Sequence, residues 1–242
     1  MTPLGLAVVA ALGNLAGALA VVRSLRRELR LIDACLAFGA GFMLSVVVLG
    51  VLPEVLGGGS EAGLFVLAGY MAVHFAQHVL TPHFHFGEET HSVSASTGMS
   101  ALLGLTLHTF FDGVAIASGF LVSEQLGVLL FLAVLLHKLP EGVTIASVMV
   151  AGGQSRSWAV AAAAVLGGAT VLGVLLTERL EPLAHQGLAL SAGVTLYVAA
   201  SNLVPEFQAK RGWLTALAFL GGAVGFFLTE LLLVALSGAK GG

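Results

Sequence analysis

Charge is scarce in this chain. Lys and Arg number 10 and Asp and Glu 13, so charged residues make up 10% of the 242, against 57% apolar. A soluble domain carries roughly a quarter charged residues. With a mean hydropathy of +1.00, the chain has more apolar surface than a core of its own could hide. A polytopic, all-helical membrane protein is expected. Cysteine is almost absent: Cys35 stands alone, which excludes a disulfide framework and a cysteine-based zinc motif. It lies in an apolar run and reads as a small core hydrophobe. No G-x-x-x-x-G-K-[ST] loop occurs, which argues against ATP hydrolysis, and no H-E-x-x-H occurs either. The net charge of −3 gives no reason to invoke nucleic acid. No basic segment precedes the first apolar run and no small-residue cleavage site follows it, so no cleaved signal peptide is expected.

What the chain has instead is length of apolar run. A spanning helix takes about 20 such residues, and eight stretches qualify: Leu4–Val22, Ile32–Leu52, Gly63–Leu80, Met99–Leu121, Leu126–Val150, Trp158–Leu176, Leu188–Phe207 and Trp213–Leu236. Arg23, Arg26, Arg27 and Arg30 lie between the first and second, Arg156 follows the fifth, and Lys210 and Arg211 follow the seventh. The other side carries only Arg179 and Lys240. The positive-inside rule puts the arginine-rich side in the cytoplasm and both termini outside. The one long connection, at about 81–98, is then cytoplasmic. It places His83, His85 and His91 among acids, a composition that can hold metal; the alternative is a solvated polar loop.

Two similar motifs lie inside these runs. His108 precedes Asp112-Gly113 by four residues, and His137 precedes Glu141-Gly142 by four, with Lys138 and Pro140 between. On a helix, residues four apart share a face. Ionisable groups within a spanning segment are costly and mark function. One such pair alone also reads as a buried hydrogen bond between helices; two at one depth point to a divalent-cation site. Met43 lies at the same depth in the second span, although a methionine there is more often packing. Imidazole, carboxylate and thioether suit zinc and other first-row ions. Pro140 cannot donate to the Leu136 carbonyl and is expected to bend its helix. Gly113 and Gly142 are expected to let the two helices approach.

A second repeat is longer-ranged. Ala40-Gly41…Leu44…Val46…Pro53-Glu54 in the second span matches Ala192-Gly193…Leu196…Val198…Pro205-Glu206 in the seventh. Five spans separate them, so they cross in opposite directions, as the two His/acid motifs also do. Inverted repeats with a mid-membrane site between them are a secondary-transporter signature. Along the route, Glu54 lies at the outer end, while His74, His78, Asn202 and Glu206 lie towards the inner side; each also reads as a helix-end hydrogen-bonding residue. Glu230 reads as a satisfied polar contact, and Glu178, Glu181 and His185 as solvated loop residues.

With these motifs the chain resembles the ZIP family of zinc- and iron-transporter-like proteins, in its prokaryotic form and over essentially its whole length. The resemblance implies a 3+2+3 arrangement of eight helices in one transport domain, 1–242. It implies that His108, Asp112, His137 and Glu141 hold the transported ion, with Met43 as a further ligand. Two-metal relatives carry Asn after the first histidine, an acid after the second, and Glu-Pro early in the sixth span. Here those positions are Thr109, Lys138 and Thr170-Val171, so a single ion is expected. The Lys138 ammonium could replace the second cation and pair with Glu141, and with Asp112. It could instead be a neutral amine, because burial disfavours the charged form, or it could weaken metal binding.

The expected function is transport of Zn²⁺, with Fe²⁺, Mn²⁺ or Cd²⁺ as alternatives, across the cell membrane towards the cytoplasm, without an organic cofactor and as a candidate homodimer. The rivals are an intramembrane metal-dependent hydrolase, in which a metal-bound water would be the nucleophile, and a metal receptor without flux.

Overall fold

The computed structural model describes residues 2–23, 29–57, 59–77, 95–205 and 213–238. Among them the chain is helical throughout. We number eight helices in order: α1 (Pro3–Arg23), α2 (Leu29–Ser45, continued through Val46–Val51 and Leu52–Gly57), α3 (Ser60–Phe75), α4 (Ala95–Val122), α5 (Glu124–Ala151), α6 (Arg156–Thr177), α7 (Glu181–Tyr197, continued through Val198–Leu203) and α8 (Trp213–Gly238). Seven contain a segment long and apolar enough to cross a membrane, and the eighth, α3, is a shorter apolar helix over Glu61–Phe75.

Tight connections follow from local chemistry. The Leu126 N–H donates to the Ser123 hydroxyl at the head of α5, and the Trp158 N–H donates to that of Ser155 at the head of α6. α5 ends on Gly153 at φ +79°, where the Gln154 N–H reaches back to the Met149 carbonyl, a closure that only a residue tolerant of positive φ allows.

Two helices begin earlier than the hydropathy suggests. α4 starts at Ala95, so 95–98 belong to a helix and not to the loop expected over about 81–98. Gly98 is buried there, and a Cβ on it would press on the Met149 sulfur of α5 at 3.2 Å. α7 starts at Glu181, which removes Glu181 and His185 from the loop expected for them. Pro182 fits the first turn, where its missing N–H costs nothing. Polar residues in that turn masked it from a reading based on apolar runs. Glu178 caps the end of α6. Glu230 is exposed on α8. Its long side chain can extend along the helix towards a polar boundary.

The inverted repeat appears in the backbone. α2 and α7 each widen into a π-turn, over Val46–Val51 and Val198–Leu203, at equivalent places in the Ala-Gly…Pro-Glu repeat. In each, the residue before the proline bonds five back: Leu52 N–H to the Val47 carbonyl and Val204 N–H to the Ala199 carbonyl. A proline ring clashes with the carbonyl four residues before it. A wide turn placed ahead of Pro53 and Pro205 relieves that clash while keeping the helix continuous.

Glycines set the packing, also in symmetric pairs. A Cβ on Gly142 of α5 would collide with the Asn14 carbonyl of α1, and one on Gly17 of α1 with the Leu139 carbonyl of α5. Gly113 of α4 and Gly173 of α6 stand in the same relation, through the Thr170 and Phe110 carbonyls. So do Gly41 of α2 with Gly222 of α8, and Gly69 of α3 with Gly193 of α7. Such contacts replace the hydrophobic drive that lipid removes. Gly113 and Gly142 therefore seat α4 on α6 and α5 on α1, rather than drawing α4 and α5 together as expected. Gly142→Ala should lower stability by about 1–3 kcal/mol, because two backbones must part. Gly168→Ala, where the added Cβ meets nothing within 4 Å, should not. Thermal unfolding of both variants in detergent checks this; equal midpoints would contradict it.

The result is two four-helix groups, α1 with α4, α5 and α6, and α2 with α3, α7 and α8, meeting along α4·α7 and α2·α5.

Candidate metal centre

α4 and α5 carry the two His/acid motifs to one point. His108, Asp112, His137 and Glu141 are each at most 6% exposed, and one ligand atom from each lies within 4.8 Å of all the others. Asp112 Oδ2 is central: it stands 3.2 Å from His137 Nε2 and 3.5 Å from His108 Nε2. Glu141 Oε2 lies 4.0 Å from His137 Nε2. Ligands around a tetrahedral zinc stand roughly 3.4 Å apart, given bonds of about 2.0–2.2 Å. These side chains need only small shifts to enclose such an ion.

The histidine tautomer favours a cation here. His137 Nδ1 is 2.8 Å from the Ala133 carbonyl one turn back and donates its proton to it. In a singly protonated ring, Nε2 then turns a lone pair towards Asp112 Oδ2. Two acceptors 3.2 Å apart are arranged to share a cation. A backbone carbonyl behind the imidazole is a common outer support of a metal-ligating histidine. His108 Nδ1 and Glu141 Oε1 are buried without a hydrogen-bond partner, so the set retains unused polar capacity.

Lys138 completes the cluster. Its side chain is fully buried, and its ammonium donates to Asp112 Oδ2 at 2.6 Å and to Glu141 Oε2 at 2.9 Å. The i,i+3 pair with Glu141 and the bond to Asp112 on α4 are both formed. Two carboxylates around one ammonium offset the cost of burying it. The hydroxyls of Thr109 and Thr170 turn inward on their own helices: Thr109 Oγ donates to the Thr106 carbonyl, and Thr170 Oγ to the Leu166 carbonyl at 3.4 Å.

Met43 is fully buried in an apolar cluster that includes Ala115 and Ala133, near Asp112 and His137 in sequence. The freed Leu136 carbonyl, left without a donor by Pro140, faces Gly39 of α2, while α5 runs on unbroken through Pro140.

A small cavity of about 20 Å³, room for about one water, adjoins the centre. His108, His137 and Glu141 line it with Leu36, Leu105, Thr144 and Asn202. All but the three cluster residues come from the helix halves towards the Arg23 and Arg156 side. Asn202 is thus brought to the site from the wide turn of α7. On the opposite side, Val51, Val55, Leu188 and Ala189 belong to the same apolar cluster as Met43, and the last three also line a larger cavity together with Glu54. His74 is exposed on α3, edge-on to Tyr197 at 5.8 Å. His78, His83, His85, His91 and Glu206 lie outside the described residues.

Sequence reasoning missed Thr144 and Asn14. Thr144 is one turn beyond Pro140 and donates to its carbonyl; a polar residue continuing the His137/Glu141 face was the signal. Asn14 is fully buried in α1 with both amide atoms unpaired, against Gly142. A lone amide in an apolar run was its only mark.

A family model described as ZIP zinc transporter matches residues 87–233, which takes in both His/acid helices and leaves all of α1–α3 outside the match. No curated protein matches the chain. With well over half of its length matched, and a buried His/Asp/His/Glu cluster among membrane-spanning helices, the chain belongs to the ZIP zinc transporter family, and it is a multi-pass divalent-metal transporter rather than an enzyme.

Proposed function

We propose that the protein carries Zn²⁺ across the cell membrane into the cytoplasm, one ion at a time, and that the whole chain, 1–242, is a single transport domain. His108, Asp112, His137 and Glu141 hold the ion, Met43 contributes a thioether, and the Lys138 ammonium stands in for a second cation. The observation that carries this reading is the convergence of four buried ligand atoms within 4.8 Å, on two helices that meet the second helix group there. Fe²⁺, Mn²⁺ and Cd²⁺ fit the same donors, and affinity alone does not choose among them.

The direction rests on charge. Arg23 and Arg156 flank one end of the helices and Arg179 the other, which supports cytoplasmic placement of the former and outside termini. The α1/α4/α5/α6 group would move against the α2/α3/α7/α8 group to expose the site to each side in turn. Association as a homodimer is part of the proposal; crosslinking in native membranes would test it.

The test is Zn²⁺ flux into proteoliposomes containing a fluorescent chelator, with downhill gradients. Wild type should load the vesicles and His108→Ala should not. Bound Zn²⁺ without flux in wild type would instead support a receptor.

A further inference from the structure

We infer that the outer cavity is a capture site for a hydrated divalent transition-metal ion, separate from the buried centre. The cavity measures about 700 Å³ and opens between α2, α3, α4 and α7. Glu54 near the end of α2, Glu61 in the first turn of α3, His185 in the early turns of α7 and Ser118 of α4 all line it, and no Lys or Arg among the described residues does. Two carboxylates and an imidazole suit an ion such as Zn²⁺ that keeps part of its water shell.

Ser118 is the observation that points to a ligand. It is 1% exposed, and its hydroxyl has no hydrogen-bond partner. A serine or threonine inside a helix commonly returns its hydroxyl to the carbonyl four residues back, as Ser45, Thr106, Thr144 and Thr177 do here. Ser118 does not. The neighbouring residue on α7 is Gly187, where a Cβ would come within 2.6 Å of Ser118 Oγ. Gly187 packs against Ser118 and offers no side-chain partner, so the hydroxyl stays buried and unpaired in the wall of the cavity. A buried, unpaired hydroxyl is costly, and an aquo ion or one of its waters would satisfy it.

The placement suits capture. Ser118 lies six residues beyond Asp112 on the same helix, about 9 Å along its axis, with the apolar layer of Val51, Val55, Leu188 and Ala189 beside the cavity. An ion held there waits one layer from the transport site. The purpose of the site rests on the proposed inward transport; its ability to bind metal rests on the cavity alone.

The test uses the full chain in nanodiscs, with His83, His85 and His91 changed to Ala in every sample. In an Asp112→Asn background, calorimetry with Zn²⁺ should still detect one weak binding event. Glu54→Gln/Glu61→Gln/His185→Gln should weaken that event by roughly tenfold or more, and Ser118→Ala by a few fold. With Asp112 intact, the triple variant should raise KM for uptake several-fold and change kcat less than twofold. A triple variant whose isotherm and KM match its parent overturns the inference. So does a difference that vanishes at high ionic strength, which would mean only a general negative field. If uptake is absent in every protein while weak binding persists, the transport reading fails and the site stands.

Discussion

Asp112→Asn should reduce metal uptake by roughly 100-fold or more while leaving the protein folded in the membrane. Asp112 Oδ2 is the atom on which the centre converges: it touches the Lys138 ammonium and both imidazoles. Asparagine keeps the shape and a carbonyl that still accepts from Lys138, so the packing of α4 against α6 should survive. What is lost is a full negative charge against a divalent ion in a buried site. At an effective dielectric constant near 20, a charge pair at bonding range is worth several kcal/mol, and each 1.36 kcal/mol is tenfold. Asp112→Ala should be worse, because it also leaves Lys138 with Glu141 alone; breaking a buried pair costs about 3–5 kcal/mol. Radioactive Zn²⁺ uptake, with protein quantified after reconstitution, measures the effect. Asp112→Asn retaining half of wild-type uptake would remove Asp112 from the transport site.

The second large effect concerns Lys138. Its ammonium already neutralises one of the two carboxylates that a metal would use. Wild type should therefore bind one ion per chain at the centre. Lys138→Asp replaces the fixed cation with a third acid and should bind a second ion. Lys138→Met removes the cation without adding a ligand. Stoichiometry should stay at one, and affinity should rise by roughly tenfold or more, since a positive neighbour no longer opposes the metal. The same variant should be less stable than wild type when metal is chelated, because two buried carboxylates are left together. Metal content by mass spectrometry and melting curves with and without Zn²⁺ separate these effects. Two ions at the wild-type centre would end the one-ion reading. An unchanged affinity in Lys138→Met would mean that the ammonium swings clear when metal binds.

Alternating access adds no separate site to this scheme. The centre is built wholly from α4 and α5 in one helix group, while Met43 and Asn202 approach from the other. A movement between groups would therefore change what surrounds the ion without dismantling its main ligands. The Asn202 side, where a cavity already adjoins His108 and Glu141, and the opposite side, packed with apolar residues, fit one end of such a cycle.

Much of this was written in local pattern. Apolar runs near the thickness of a bilayer can only become helices, because lipid offers nothing to pair with a bare backbone group. The i,i+4 spacing put each histidine and acid on one face, and the duplicated Ala-Gly…Pro-Glu motif announced an inverted pair that the backbone repeats down to the wide turns before Pro53 and Pro205. The paired motifs also announced the buried His/Asp/His/Glu cluster. Tertiary structure decided what depends on contacts between distant segments. It aimed Gly113 and Gly142 at α6 and α1, a choice set by which carbonyls lay opposite them. It extended α4 and α7 through polar residues that hydropathy assigns to loops, because neighbouring helices and a proline-started first turn held them. It joined Lys138 to Asp112 across 26 residues and left Ser118 bare beside Gly187. Spacing along a helix determines which side chains share a face, but only packing determines what that face meets.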